Sequence, residues 1–120
     1  MVENSASRPF ASPLHVHEVE DEAFIMLEGS IRAWLGDEHH DVDAGGVAFL
    51  PHGLPHAFRV TSPTARFLVL GLPGGLEELY RAAGWDLRTA VPDGWNVSIP
   101  LLVASEASRG NRVLGPAPAP

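Results

Sequence analysis

Cysteine is absent from the 120 residues, which removes disulfides and thiolate metal ligands from the chemistry open to the chain. Lysine is absent too: the eight basic residues are all arginines, set against fifteen acidic ones, and the net charge is −7. So few cations cannot supply the clustered positive charge that a nucleic-acid backbone or an anionic lipid surface requires, so neither is an expected partner. No apolar run approaches the ~20 residues of a bilayer span. The start, Met1-Val2-Glu3-Asn4-Ser5, lacks the cationic stretch and apolar run of a secretory leader, and a cytoplasmic protein is the expectation. What remains, 45% apolar and 19% charged residues, is the composition of a globular chain of one-domain size.

The most informative stretch is Pro13-Leu14-His15-Val16-His17-Glu18-Val19-Glu20-Asp21-Glu22. On an extended strand, residues two apart point the same way and lie roughly 6.7 Å apart, so His15 and His17 can aim two imidazoles at one point. Glu22 can return to that point if the chain bends through the acidic segment between them and begins a second strand. A fourth donor is offered by His56, held in Pro51-His52-Gly53-Leu54-Pro55-His56, where two prolines and a glycine make a stiff turn that presents the imidazole in a set direction. Glu18, Glu20 and Asp21 read as a solvated acidic run that lends the site negative potential. His39 and His40 read as solvated residues of a hairpin.

These residues resemble the two motifs of the cupin family. The first, G-x5-H-x-H-x(3,4)-E-x6-G, is met by His15, His17, Glu22 and Gly29, with Pro9 in place of the leading glycine. The second, G-x5-P-x-G-x2-H-x3-N, is met by Gly45, Pro51, Gly53 and His56, with Val60 in place of the asparagine. The short separation, Ser30 to Ala44, is similar to that of compact single-barrel bacterial cupins of the quercetin-dioxygenase type. The resemblance implies an all-β fold, a cupin-type antiparallel barrel or jelly roll, within one domain spanning 1–120: a barrel over about 9–72 and a short helical and extended tail over about 73–120.

Period-two patterning is consistent with that fold. Over Glu22–Leu27 it turns Phe24 and Met26 inward with Glu22, and gives Ala23, Ile25 and Leu27 to a face that a second sheet or a partner must cover. Further strands are expected over 30–35, 47–50, 57–60 and 66–70, punctuated by glycine and proline. Residues 1–12 read as a loose arm. Cupins usually carry two or more strands before the histidine pair, so part of the barrel is expected to come from a neighbour, in a homodimer formed by strand pairing or exchange. Leu76, Leu79, Tyr80 and Ala83 have helical spacing closed by Gly84. Ser98 is placed to cap a second helix over 99–107 with Pro100 in its first turn, and Gly110 to end it. Val113 to Pro120 reads as an extended tail, frayed at its end.

Three imidazoles and a carboxylate leave two positions open on a six-coordinate divalent ion, and suit iron, manganese, nickel, cobalt, copper or zinc alike. Phe24, Met26, Phe58 and Val60 are expected to line an apolar substrate pocket, with His52 at its rim, and Glu22 to act as ligand or as proton acceptor. Trp34, Phe49 and Phe67 read as packing residues. The resemblance implies a dioxygenase acting on a small aromatic or enolic substrate. A metal-holding binding protein without catalysis, and a metal-dependent isomerase or cyclase, are the alternatives, because one fold hosts many chemistries.

Overall fold

A computed structural model describes the chain from Met1 to Pro120. Nine strands and two helices follow in order: β1 (Val2–Ser7), β2 (Leu14–Val16), β3 (Asp21–Glu28), β4 (Ser30–Leu35), β5 (Glu38–Asp43), β6 (Val47–Leu50), β7 (His56–Val60), β8 (Thr64–Leu72), α1 (Glu77–Ala83), α2 (Ile99–Ser108) and β9 (Arg112–Gly115). The strands form two sheets, one in the order β1-β8-β3-β6 and the other β5-β4-β7-β2-β9, with every pairing antiparallel. This is the expected all-β barrel with a short helical tail.

Alternation explains how the two sheets close on one another. In β3, Glu22, Phe24 and Met26 are buried while Ala23, Ile25 and Leu27 are only half-buried. In β8, Ala65, Phe67 and Val69 are buried and the residues between them are not. Sheet two answers with Ile31 and Ala33 from β4 and Val60 from β7, and these inward faces make one apolar core with Leu76 and Leu79 of the tail. Aromatic contacts knit its centre, among them Phe24 edge-on to Phe58 at 5.1 Å and Phe58 edge-on to Phe67 at 5.6 Å, arrangements favoured by ring quadrupoles. The β3–β4 connection depends on Gly29 at φ 74°: a methyl group there would collide with the Thr64 carbonyl oxygen.

One expectation at the chain ends is corrected. Residues 2–7 are not a loose arm; they pair along β8 from Val2↔Val69 to Ser7↔Thr64, so this chain supplies its own extra strand. Val2, Asn4 and Ala6 turn one way and are half-buried, while Glu3, Ser5 and Ser7 are exposed. The far tail is extended as expected, and its first part is a strand: β9 pairs with β2 in the register His15↔Val113 and Val16↔Arg112. Both strands lie outside the 9–72 barrel expected from the motifs, and long-range pairing, not local propensity, orders them. The helices arise where spacing and caps place them: Ser98 accepts from the Leu101 amide, Pro100 lies in the first turn, and Gly110 follows the helix at φ 78°.

Candidate metal centre

His15 and His56 face each other across the β2–β7 pair, and cross-strand neighbours project to the same side. His17 lies just past the end of β2, and Glu22 opens the inward row of β3. The turn before His56 is tied on both flanks: the Gly53 amide donates to the His17 carbonyl at 2.8 Å, and the His52 amide donates to the Asp21 carboxylate at 2.9 Å. The Pro51–Pro55 segment is thus anchored to the same strand ends that carry the other three side chains.

The four side chains are all buried, and one donor atom from each lies within 4.8 Å of the others, an arrangement that could hold a metal ion. Glu22 Oε2 is 3.2 Å from His17 Nε2 and 3.0 Å from His56 Nε2, and the Nε2 atoms of His15 and His17 are 3.1 Å apart. The backbone sets two of the tautomers. His15 Nδ1 lies 2.8 Å from the Pro13 carbonyl and His56 Nδ1 lies 3.3 Å from that of Leu54; a carbonyl only accepts, so each Nδ1 carries the proton and each Nε2 turns a lone pair inward. His56 Nε2 and Glu22 Oε2 have no hydrogen bond of proper geometry although they are buried. Lone pairs that converge on a common point without satisfying each other fit a cation between them.

The electrostatics agree with a ligand role for Glu22. Burial opposes its ionisation, but the close approach of the His17 and His56 imidazoles prevails and brings it down to about 2. Burial, with the nearby His56, pushes His15 down to about 4, which keeps it neutral. Burial also opposes the charge on His17, yet the Glu22 hydrogen bond outweighs it and raises that histidine above its usual value.

Other residues fall differently from the sequence expectation. Glu20 is not solvated: it is 4% exposed and forms an ion pair with Arg109 just after α2, while its second oxygen lies 3.8 Å from His17 Nδ1. Glu18 pairs with Arg112 at 2.8 Å and Asp21 with His52 at 2.7 Å, so this acidic run is divided among separate partners. His39 and His40 are exposed as expected. Phe24, Met26 and Val60 are packed in the core with half-buried Phe58 against them, and His52 is exposed. A cavity of about 780 Å³ lies to the side, where Phe10, Phe67, Tyr80, Trp85 and Trp95 contribute to its walls. Tyr80 connects the two regions: burial raises its phenol pKa and the Glu22 and Glu106 charges add to the rise.

The tail therefore brings residues to the centre that spacing did not reveal. Arg109, Glu106 and Asn111 approach it from α2 and the turn into β9. Burial raises the Glu106 carboxyl above its usual value, against the pull of His17. No local pattern in 99–111 marks these residues; only the β2–β9 register brings them to the histidines.

A β-barrel of two antiparallel sheets with three histidines and a glutamate gathered inside defines a metal-competent barrel protein. The Cupin domain family matches residues 6–71, and the chain belongs to that family. It is 31% identical over 80 residues to quercetin 2,3-dioxygenase of Bacillus subtilis (strain 168), a stretch covering 67% of this chain and 24% of that protein; the chain thus spans about a quarter of that relative's length. The crystal structure of TT1209 from Thermus thermophilus is 33% identical, with a TM-score of 0.55 over 57% of this chain and 67% of that one. KdgF from Halomonas sp. has the same fold at 20% identity, with a TM-score of 0.58 over 62% and 68% of the two chains.

Proposed function

We propose that the chain is a divalent-metal dioxygenase acting on a small aromatic or enolic molecule, with His15, His17, Glu22 and His56 as the metal ligands. The observation that carries this reading is the convergence of their four donor atoms within 4.8 Å in a buried pocket; the likeness to a quercetin 2,3-dioxygenase supports the reaction class. When bound, a redox-active divalent ion supplies Lewis acidity and electrons for oxygen chemistry.

The chain's own residues do the rest. His15 and His56 are held in the ligating tautomer by the Pro13 and Leu54 carbonyls, an outer-shell constraint of the kind that raises ligand basicity. Glu22, kept ionised, fits the ligand role better than that of a proton acceptor, because a carboxyl held at about 2 is a weak base. Phe24 and Phe58, two residues along their strands from Glu22 and His56, lie beneath the ligands and exclude water from that side.

Oxygen uptake tests the reading. Protein loaded in turn with each redox-active ion is given a panel of flavonols and diketones, beside a His56→Ala control. Substrate-dependent oxygen consumption that vanishes in the control is expected. No consumption with any ion and any substrate overturns the dioxygenase reading and leaves a metal-holding binding protein or a metal-dependent isomerase.

A homodimer fits the outer face of the first sheet. Val47, Phe49 and Leu72 are 61, 58 and 59% exposed, and Phe49 and Val47 sit in register with half-buried Ala23 and Ile25. A second copy covers such a face by two-fold symmetry. Light scattering is expected to report twice the chain mass, falling to one in Phe49→Glu; a monomeric wild type overturns it. Exchange of the terminal strands is not needed, since β1 and β9 pair within the chain. No helix is long and apolar enough to cross a membrane.

A further inference from the structure

The bend between β2 and β3 buries a charge and exposes an apolar side chain. Val19 is 57% exposed, while Glu20 beside it is 4% exposed. Taking a carboxylate out of water and leaving a valine in it costs stability on both counts, and a bend that served only to reverse the chain would place them the other way round. Arg109 offsets part of that cost, because its Nη2 donates to Glu20 Oε1. It leaves the second carboxylate oxygen open: Arg109 Nε and Glu20 Oε2 are both buried without a hydrogen-bond partner.

That open oxygen faces one of the converging imidazoles. Glu20 Oε2 lies 3.8 Å from His17 Nδ1, and this nitrogen too is buried without a hydrogen bond. The other two histidines are served by the backbone, His15 Nδ1 by the Pro13 carbonyl and His56 Nδ1 by that of Leu54. His17 has no such carbonyl. The group that approaches its outer nitrogen is a carboxylate from the bend, held in turn by an arginine from the tail.

We propose that Glu20 is a positioning residue of the metal centre: its open oxygen takes the Nδ1 proton of His17 in a hydrogen bond and keeps Nε2 turned inward, the task that carbonyls perform for His15 and His56. A charged acceptor binds an N–H more strongly than a neutral carbonyl does, and it raises the basicity of the ligating nitrogen. Arg109 belongs to the same device, since a carboxylate clamped through one oxygen keeps the other aimed at the ring. The present separation exceeds a hydrogen bond, and its closure is what the test reads. The inference rests on the metal-centre reading above and adds a residue outside the four donors.

The test uses the full chain loaded with zinc(II), a diamagnetic ion, so that long-range proton–nitrogen NMR correlations report each imidazole nitrogen; zinc affinity is measured by competition with a chromophoric chelator. Two variants are compared with the wild type. Glu20→Gln keeps the size but has one acceptor oxygen for two donors. Glu20→Leu combined with Arg109→Met replaces the whole buried pair by apolar side chains and spares stability. In the wild type all three rings are expected to carry the proton on Nδ1. In both variants the His17 Nδ1 proton alone is expected to shift and to exchange faster with water, with His15 and His56 as internal references, and zinc affinity to fall by about tenfold to a hundredfold. The double variant should melt near the wild type. A His17 signal that stays in place, or zinc affinity unchanged in the double variant, overturns the positioning role and leaves the pair as a tie between tail and barrel. Weaker zinc binding with all three rings disturbed alike overturns it as well, because the loss is then one of packing. Glu20→Gln keeps the test decisive if the double variant does not fold. A wild type that binds no zinc sinks the metal-centre reading itself, whereas zinc binding that ignores Glu20 sinks only this inference.

Discussion

Strand β3 buries every second residue and sends Glu22 inward at the head of an apolar row, whereas helix α2 buries Glu106 and leaves its apolar side chains largely in water. Both glutamates end beside the same histidines. The barrel achieves this through a repeating pattern in which each inward residue is supported by the next, so the four converging donors rest on a packed floor. The tail achieves it by anchoring at a few separated points: Leu76 and Leu79 in the core, Arg109 on Glu20, and β9 on β2. A ligand set needs rigidity, which continuous packing provides; the tail presents polar groups without a surrounding core of their own, and so depends on each anchor.

The contrast is broken most completely at the ligands. His56→Ala is expected to reduce bound metal from about one equivalent to none, read by elemental analysis of protein prepared without chelator. Retained metal would mean that the barrel side of the comparison is wrong. Next in size is the barrel core: Phe67, 1% exposed and in contact with the rings of Phe24 and Phe58, should cost about 3–5 kcal/mol of unfolding free energy as Phe67→Ala in a urea titration.

Arg109→Met sharpens the tail side. It strands Glu20 as a buried charge and is expected to cost about 3 kcal/mol, with much of that recovered when Glu20→Leu is added. If the single variant melts like the wild type, the tail is an appendage and the anchor argument fails. A smaller effect is read by pH at His17. His17 is raised above its usual value by Glu22, so an incoming ion must displace its proton; metal affinity should rise with pH through neutrality, with about one proton released per ion in calorimetry across buffers of different ionisation heat. Affinity independent of pH would contradict that assignment. Least of all, Arg112→Ala should leave stability nearly unchanged, because its pair with Glu18 is exposed on both sides and screened by solvent.

Much of the barrel was legible because its information is local and periodic. Alternation over 22–27 gave the inward identity of Phe24 and Met26, and the spacing of His15, His17, Glu22 and His56 marked, through two recognisable motifs, the four donors that converge. Expected packing roles for Phe67 and Phe49 divide: Phe67 is central, but Phe49 stands 58% exposed on the outer sheet face. Inward apolar residues on closing sheets fill the interior they share, and a cavity opens at the flank beside Tyr80. Glu20 shows the same limit from the polar side. Nothing between Glu18 and Glu22 distinguishes a solvated carboxylate from one that meets an arginine 89 residues away.

An all-β, cysteine-free, acidic cupin with four donors in register follows from residue order alone, because strand period, turn chemistry and motif spacing act over a few residues. Folding in three dimensions settled that residues 2–7 and 112–115 complete the sheets and that Glu20, Glu106 and Asn111 are buried. Those outcomes are set by pairing between strands far apart in the chain, where the free energy of a contact depends on which partner arrives and not on the residues beside it.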